Sequence, residues 1–214
     1  AERILQLVNQ LMDIRKIDKG QMSLMFKKAE IVSFTRDLLE TFEQQTRVKK
    51  LDLKFHTSAP EIEMWIDPKN FDKIILNLLS NACKFTPENG QVEISLSTGE
   101  DTHLPQNAPL RRYVELTVAD SGIGIASTER EHIFERFYQI RNSQNNSNIG
   151  TGIGLHLTRS LVELHYGNIH VEDNGEGRPG SRFIIRLPLG NGHLKKEEIE
   201  EATTADTLIN IPAA

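Results

Sequence analysis

The alternation of apolar and polar positions predicts four helices and six strands. Apolar residues recur every three or four positions in the helical segments and every second position in the strand segments. The predicted helices cover residues 1–18, 31–48, 68–84 and 152–165. The predicted strands cover residues 51–55, 62–66, 91–98, 111–119, 168–173 and 182–188. Because these elements do not alternate as regular strand–helix–strand units, we expect an α/β (α+β) two-layer sandwich, with helices covering one face of a mixed β-sheet.

The first helix carries more apolar surface than one short helix can bury alone. One stripe has the spacing of a helix-bundle seam and consists of Ile4, Leu7, Leu11 and Ile14. A second stripe lies beside it and consists of Leu5, Val8 and Met12. A helix this short and apolar is marginal in water, which favours partner helices from outside this chain. The alternative is a helix docked on the core of its own domain.

Composition excludes some classes of protein. The chain has 214 residues and a formal net charge of −5, which disfavours a bulk nucleic-acid binder. It has no apolar run of ~18 residues, so no membrane span is predicted. The single cysteine, Cys83, cannot form an intramolecular disulfide; this suits a reducing, cytoplasmic compartment. Residues 191–214 are polar and acidic, which predicts a linker or a disordered tail.

The helix at 68–84 carries an unusual polar face. Asn77, Asn81 and Lys84 stand at i, i+4 and i+7 and therefore share one side of the helix. Asparagine is a poor helix former, whereas its amide oxygen is a ligand type that suits Mg²⁺. A lysine at the helix end adds a charge for phosphate. The alternative interpretation is an ordinary solvated face.

Two glycine-rich turns follow predicted secondary structure. Residues 120–125 (Asp-Ser-Gly-Ile-Gly-Ile) come after a strand, where a carboxylate can accept from an exocyclic amine and the glycines allow a flat ligand to approach. Residues 150–155 (Gly-Thr-Gly-Ile-Gly-Leu) open a helix, which suits phosphate binding. Neither turn has the spacing of a dinucleotide-binding fingerprint or of a P-loop.

Together these motifs resemble the histidine kinase family, within the wider superfamily of gyrase, chaperone and mismatch-repair ATPases. The resemblance covers about residues 1–190. It rests on motifs in the family's order: an N box at 77–87, a first glycine box at 120–125, a phenylalanine box at 133–138, a second glycine box at 150–155 and a turn at 180–183.

The resemblance implies a role for each motif. Asn81, with Asn77, would coordinate magnesium that bridges the phosphates of ATP. Lys84 would contact phosphate, and Asp120 would bind the adenine amino group. The segment 139–151 would form a long ATP lid. The implied ATP-binding residues are Asn77, Asn81, Lys84, Phe85, Asp120, Gly122, Gly124, Ile125, Arg136, Phe137, Gln139, Arg141, Gly150, Thr151, Gly152, Gly154, Leu155 and Ser181.

Two residues of this chain differ from those that related proteins of the superfamily carry at the same positions. Gln139 stands where the family often has an arginine for the γ-phosphate, and a glutamine cannot neutralise charge. Arg136 or Arg141 would have to compensate. Asn77 stands where hydrolytic relatives carry a glutamate that activates water. Because a neutral imidazole already carries a lone pair and needs less activation than water, this favours a kinase over an ATPase.

The family's phosphoacceptor histidine has no counterpart here. Residues 1–18 contain no histidine, and all seven histidines lie downstream, outside any acceptor motif, which predicts structural or surface roles for them. Residues 1–20 resemble the end of a dimerisation and phosphoacceptor hairpin, 21–190 an ATP-binding catalytic domain, and 191–214 a linker that in hybrid kinases leads to a receiver domain.

The expected protein is therefore a magnesium-ATP-binding kinase domain that phosphorylates a histidine on a separate dimerisation domain, for relay to the receiver domain of a response regulator. The expected setting is the cytoplasmic part of an inner-membrane sensor that forms a homodimer and has no nucleic-acid partner. The alternative is a nucleotide-binding or interaction module without transfer activity.

Overall fold

The computed structural model describes residues 2–140, 150–175 and 177–200, and within these ranges the chain forms four α-helices and seven β-strands. The helices are α1 (Glu2–Asp18), α2 (Ile31–Val48), α3 (Pro68–Phe85) and α4 (Gly154–Leu164). The strands are β1 (Lys27–Glu30), β2 (Asp52–Thr57), β3 (Glu63–Ile66), β4 (Gln91–Glu100), β5 (Arg112–Asp120), β6 (Asn168–Asp173) and β7 (Ser181–Pro188). None of the described helices has the length and apolar character needed to cross a bilayer.

Five strands form a mixed sheet in the order β2-β4-β5-β7-β6. β2 runs parallel to β4, and the other neighbours are antiparallel. Alternate side chains are buried in the first half of β4 (Val92, Ile94 and Leu96) and along β5 from Val114, as the alternating pattern predicted. Helices pack on one face of this sheet, so the predicted two-layer sandwich with a mixed sheet is confirmed.

The short two-stranded sheet formed by β1 and β3 was not predicted. β3 pairs antiparallel with β1, outside the main sheet. The sequence of β1, Lys-Lys-Ala-Glu, has one small apolar residue and therefore no detectable alternation. Its pairing with the predicted strand at 62–66 depends on tertiary structure, which a local pattern does not contain.

α3 is the central helix of the helical layer. It begins where Oδ1 of Asp67 accepts a hydrogen bond from the backbone N–H of Asn70 (3.0 Å) and Pro68 occupies the first helical position. Its apolar side is completely buried and includes Ile74, Ile75, Leu78 and Leu79. The opposite side carries the predicted polar residues. The core therefore holds the N box in a fixed orientation.

His165 connects the end of α4 to the start of α3. Its Nδ1 donates to the backbone oxygen of Leu161 (2.7 Å), and its Nε2 accepts from the backbone N–H of Asp67 (3.3 Å). Burial lowers the pKa of His165, and the accepting Nε2 is that of a neutral ring. The ring also packs edge-on against Phe26. A structural role, as the sequence predicted for this histidine, agrees with these contacts.

One side of α1 packs on the domain, and the other side exposes apolar residues. Each of the two interpretations of its apolar surface therefore applies to one side of the helix. Ile14 is 3% exposed, and Asp13 forms an ion pair with Lys73 of α3 (2.6 Å), so one side docks on the domain's own core. Ile4 and Leu5 are 69% and 63% exposed. The second stripe, together with Ile4 and Leu11, thus remains available for another helix.

Part of the predicted tail is ordered against the domain. The backbone N–H of Phe26 donates to the oxygen of Glu198 (2.6 Å), and the N–H of Glu200 donates to the oxygen of Phe26 (2.8 Å). The Tyr166 hydroxyl donates to the Glu198 carboxylate (2.8 Å). Residues 191–200 are therefore not a free linker. Composition missed this because the contacts are with residues distant in sequence; residues 201–214 lie outside the described residues.

Candidate functional site

The Asp120 carboxylate lies at the end of β5, 6% exposed. Oδ1 accepts from the backbone N–H of Gly122 (2.8 Å), and Oδ2 accepts from the Ser181 hydroxyl (2.7 Å). Burial raises the pKa of Asp120, while these hydrogen bonds oppose that rise by stabilising the charged form. Two oxygens held by donors retain further lone pairs. The site can therefore accept a hydrogen bond from a ligand amine.

Glycines bring three segments into contact around Asp120. A Cβ on Gly122 would lie 2.5 Å from the backbone oxygen of Phe85, so the first glycine box touches the end of α3. A Cβ on Gly124, whose φ is +73°, would lie 3.2 Å from the oxygen of Gly180. A Cβ on Gly180 would overlap the backbone oxygen of Asp120. Backbone contact at this distance requires glycine, and it joins the motifs that the sequence predicted separately.

Asn174 is a site residue that sequence reasoning missed. Its Nδ2 donates to the backbone oxygens of Asp120 and Pro179, each at 2.7 Å. It thereby fixes the turn between β6 and β7 to the end of β5. In the sequence, Asn174 precedes Gly175 and is typical of an ordinary turn, so no local signal distinguishes it.

Asn77 lies between α3 and α4. Its Nδ2 donates to the backbone oxygen of Gly154 and to the Thr158 hydroxyl (2.8 Å for the latter). A Cβ on Gly154 would lie 2.5 Å from Oδ1 of Asn77, which explains the glycine. Asn77 thus joins the N box to the second glycine box. Its role as a magnesium ligand stays a prediction, and Thr158 is a partner that the sequence did not reveal.

Asn81 and Lys84 lie on the same side of α3, beside the second glycine box. The Asn81 side chain is half-buried, and no described residue hydrogen-bonds to it. The Lys84 ammonium lies 4.7 Å from the centroid of the Phe85 ring and 3.0 Å from the position of a Cβ on Gly150. The Lys84 ammonium therefore lies between the exposed Phe85 ring and the start of the second glycine box, and the nucleotide contacts of Asn81, Lys84 and Phe85 stay a prediction.

The two ends of the predicted lid are joined. The Gln139 side-chain N–H donates to the backbone oxygen of Gly150 (2.9 Å), and the backbone N–H of Phe137 donates to the oxygen of Gly152 (2.8 Å). Phe137 has a φ of 65° and is 60% exposed. Arg141 and the rest of 141–149 lie outside the described residues.

Arg136 is paired with the N-terminal helix. Its Nη2 donates to Oδ1 of Asp18 (2.8 Å) and to Nε2 of His156 (3.3 Å). The hydrogen bond from Arg136 lowers the pKa of Asp18. A contact of Arg136 with the γ-phosphate stays a prediction, and it would compete with Asp18 for the guanidinium.

Three further predicted residues have supporting positions. Ile125 and Leu155 are half-buried and pack against the core. Thr151 accepts a hydrogen bond at its hydroxyl from the backbone N–H of Ile153 (3.3 Å), one residue before α4 begins. These contacts shape the backbone of the two glycine boxes.

Comparison with known proteins identifies this arrangement. The family model of the histidine kinase-, DNA gyrase B- and HSP90-like ATPases matches residues 66–191. The chain belongs to this family. The match spans α3, both glycine boxes and the turn before β7, so it includes every motif described above except α1. Within the family, most of the similar curated proteins are named histidine kinases, and the chain is an ATP-binding catalytic domain of the histidine kinase type.

Individual relatives agree with this family assignment. Sensor histidine kinase TmoS of Ectopseudomonas mendocina is 37% identical over 189 residues, which are 88% of this chain and 18% of TmoS. The catalytic domain of histidine kinase ThkA, solved without nucleotide, aligns with a TM-score of 0.63 at 25% identity, over 78% of this chain and 99% of that one. Full-length ShkA in complex with AMPPNP aligns with a TM-score of 0.71 at 26% identity, over 88% of this chain and 36% of that one.

The chain is similar to one part of longer proteins. It spans between 13% and 18% of the length of TmoS and two further curated histidine kinases. The shared part is 88–96% of this chain. The family assignment therefore applies to the catalytic domain.

Proposed function

We propose that this domain binds magnesium-ATP and transfers the γ-phosphoryl group to a histidine on a separate dimerisation hairpin, for relay to an aspartate of a response regulator. The observation that carries the proposal is the buried Asp120 carboxylate, held by Gly122 and Ser181 beside the end of α3. A carboxylate in this setting selects a base that presents an amine. The Lys84 ammonium and the start of α4 lie on the side of α3 that carries Asn77, where they would meet the phosphates.

Magnesium fits the donor groups of this side of α3. The described residues contain no cluster of three or more histidine, cysteine or acidic side chains that could hold a metal. Asn81 supplies an amide oxygen without a described protein partner, and magnesium commonly takes one or two protein oxygens together with phosphates and waters. Bound magnesium would neutralise phosphate charge, and Asn81 would orient it.

Replacing Asn81 tests the magnesium proposal. Asn81→Ala should remove most of the effect of magnesium on ATP affinity, because a methyl group cannot coordinate a cation. We expect the ratio of the ATP dissociation constant in EDTA to that in magnesium to fall at least about threefold, which corresponds to at least about 0.7 kcal/mol. Calorimetric titrations with ATP in magnesium and in EDTA give this ratio.

Ser80, the exposed neighbour of Asn81, provides the matched control. Ser80→Ala should leave the magnesium dependence as it is in the parent chain. An unchanged ratio in Asn81→Ala would remove Asn81 from the set of magnesium ligands.

Transfer is favoured over hydrolysis by the chemistry at position 77. Asn77 uses its N–H groups on Gly154 and Thr158, and an amide has no useful basicity for deprotonating water. A histidine nitrogen attacks without such a base. Positioning and charge neutralisation then provide most of the rate enhancement, as in other phosphoryl transfers.

A nucleotide-binding module without transfer activity is the second candidate. It is favoured by Gln139, which lacks the charge of an arginine and instead donates to Gly150. Such a module would bind ATP with the same site and would fail to phosphorylate any hairpin.

A hairpin supplied in trans separates the two candidates. The chain is incubated with γ-labelled ATP, magnesium and a dimerisation hairpin from a related kinase that carries its acceptor histidine. We expect acid-labile label on the hairpin, none when its histidine is replaced by alanine, and none on the chain alone. ATP binding without label on a set of such hairpins would favour the second candidate, and label on the chain itself would contradict the proposal.

The proposed setting is a homodimeric sensor whose catalytic part lies on the cytoplasmic side of an inner membrane. The exposed apolar stripe of α1 supports the dimer, since Leu5, Val8 and Met12 are 63%, 48% and 47% exposed and would be covered by a second hairpin helix.

A further inference from the structure

A lysine from another element closes the C-terminal end of α3. Nζ of Lys49, just beyond the end of α2, donates to the backbone oxygens of Cys83 (2.7 Å), Lys84 (3.0 Å) and Thr86 (2.6 Å). An ammonium has three N–H donors, and all three are used here. The side chain is half-buried. Lys49 therefore makes a specific contact that is distant in sequence.

This contact replaces the usual ending of a helix. The last carbonyl groups of an α-helix lack helical partners, and many helices satisfy them with a glycine in a left-handed conformation. α3 instead continues into Thr86 in an extended conformation (φ −81°, ψ 129°). The Lys49 charge also lies at the negative end of the helix dipole, where a cation is stabilising.

The held segment carries two nucleotide-site residues. The carbonyl of Lys84 accepts directly from Lys49, and Phe85 lies between two of the three accepting residues. The backbone oxygen of Phe85 packs against Gly122 so closely that a Cβ there would lie 2.5 Å away. The position of the end of α3 therefore determines where the Lys84 ammonium lies. It also determines the distance between the Phe85 backbone oxygen and Gly122 in the turn after Asp120.

We propose that Lys49 is a positioning residue for nucleotide binding, which holds the end of α3 so that Lys84 and Phe85 meet the ligand. This inference rests on the proposed ATP site and adds a residue outside the family motifs. A displacement of about 1 Å in a positioned group can cost a large factor in its interaction with a ligand. Lys49 acts through the backbone of 83–86 and does not itself touch the nucleotide.

The next residue in the chain is a matched control. Lys50 has the same charge and pairs with Glu88 at 2.6 Å, with both side chains more than half exposed. Such surface pairs contribute little. Lys50→Met removes the same charge one position away and leaves the end of α3 in place.

The test compares ATP dissociation constants of the folded chain by calorimetry in magnesium, well below each variant's melting temperature. We expect Lys49→Met to weaken ATP binding by about tenfold, and Lys49→Gln, which keeps two N–H donors, to fall between this variant and the parent. Lys50→Met should stay within about twofold of the parent. If Lys49→Met does not fold, the ATP dissociation constant of Lys49→Gln is compared with those of the parent and Lys50→Met.

A double-mutant cycle separates positioning from general stability. If Lys49 acts through Lys84, the effect of Lys49→Gln on ATP affinity should shrink in a Lys84→Met background and persist in full in an Asp52→Asn background, an exposed site on β2. Parent-like affinity in Lys49→Gln, or an effect of equal size in both backgrounds, would overturn the inference. Failure of the parent chain to bind ATP would instead overturn the proposed function.

Discussion

Asp120→Asn should weaken ATP binding by about tenfold to a hundredfold, the largest effect expected of a single isosteric change in this site. The carboxylate is buried and already accepts from Gly122 and Ser181. An asparagine presents one acceptor and one donor, so the adenine amine loses a charged partner, and hydrogen bonds to charged groups contribute about 1.5–3 kcal/mol. Titration with a fluorescent ATP analogue measures the change.

Asp52→Asn is the control for this substitution. Asp52 begins β2 and pairs with Lys54 at 3.2 Å on the exposed surface, so the variant should bind ATP with the parent's affinity. Equal affinities of Asp120→Asn and Asp52→Asn would show that the base does not contact Asp120. The adenine assignment would then be wrong, whatever the fold.

Gly180→Ala should destabilise the domain by about 3 kcal/mol and abolish ATP binding. The added Cβ would overlap the backbone oxygen of Asp120, and the residue has a φ of +100°, which side-chain-bearing residues rarely adopt. Relief of the overlap requires β7 or the end of β5 to move, which displaces Ser181 from the Asp120 carboxylate. Urea unfolding gives the free energy of unfolding, and the ATP titration gives the binding.

Gly175→Ala is the control that separates the effect of backbone strain from the effect of steric overlap. It has a φ of +73° in the same connection between β6 and β7, and a Cβ there would meet nothing within 4 Å. Gly175→Ala should therefore cost about 1 kcal/mol from backbone strain alone and leave ATP binding intact. Similar losses of stability and binding in both variants would contradict the close approach of Gly180 to Asp120.

The sequence predicted those parts of the fold that have a local pattern. Helix α3 was expected at 68–84 and lies at Pro68–Phe85, because an N-cap, a proline and a repeating apolar face mark it. The hairpin of β4 and β5 was expected for similar reasons. β1 was missed because its four residues have no apolar alternation. The ordered segment 191–200 was missed because its partners, Phe26 and Tyr166, are distant in sequence.

The residues of the candidate site also fall into those that a local pattern predicted and those that it did not. The motifs around Asn77, Asp120 and Gly152 were found because each combines a rare residue type with a turn or a helix. Lys49 and Asn174 were missed because they bind backbone carbonyls that are distant in sequence. Nothing in a lysine after a helix, or in an Asn-Gly turn, indicates which carbonyl group it will reach.

The most direct test of the account is the base preference of the site, measured by calorimetric titration of the parent chain with ATP and with GTP in magnesium. Adenine presents an amine where guanine presents a carbonyl oxygen, and a carbonyl cannot donate to the Asp120 carboxylate. The account predicts one ATP site per chain and a GTP affinity at least about tenfold weaker. No binding of ATP, or equal affinities for the two nucleotides, would contradict it.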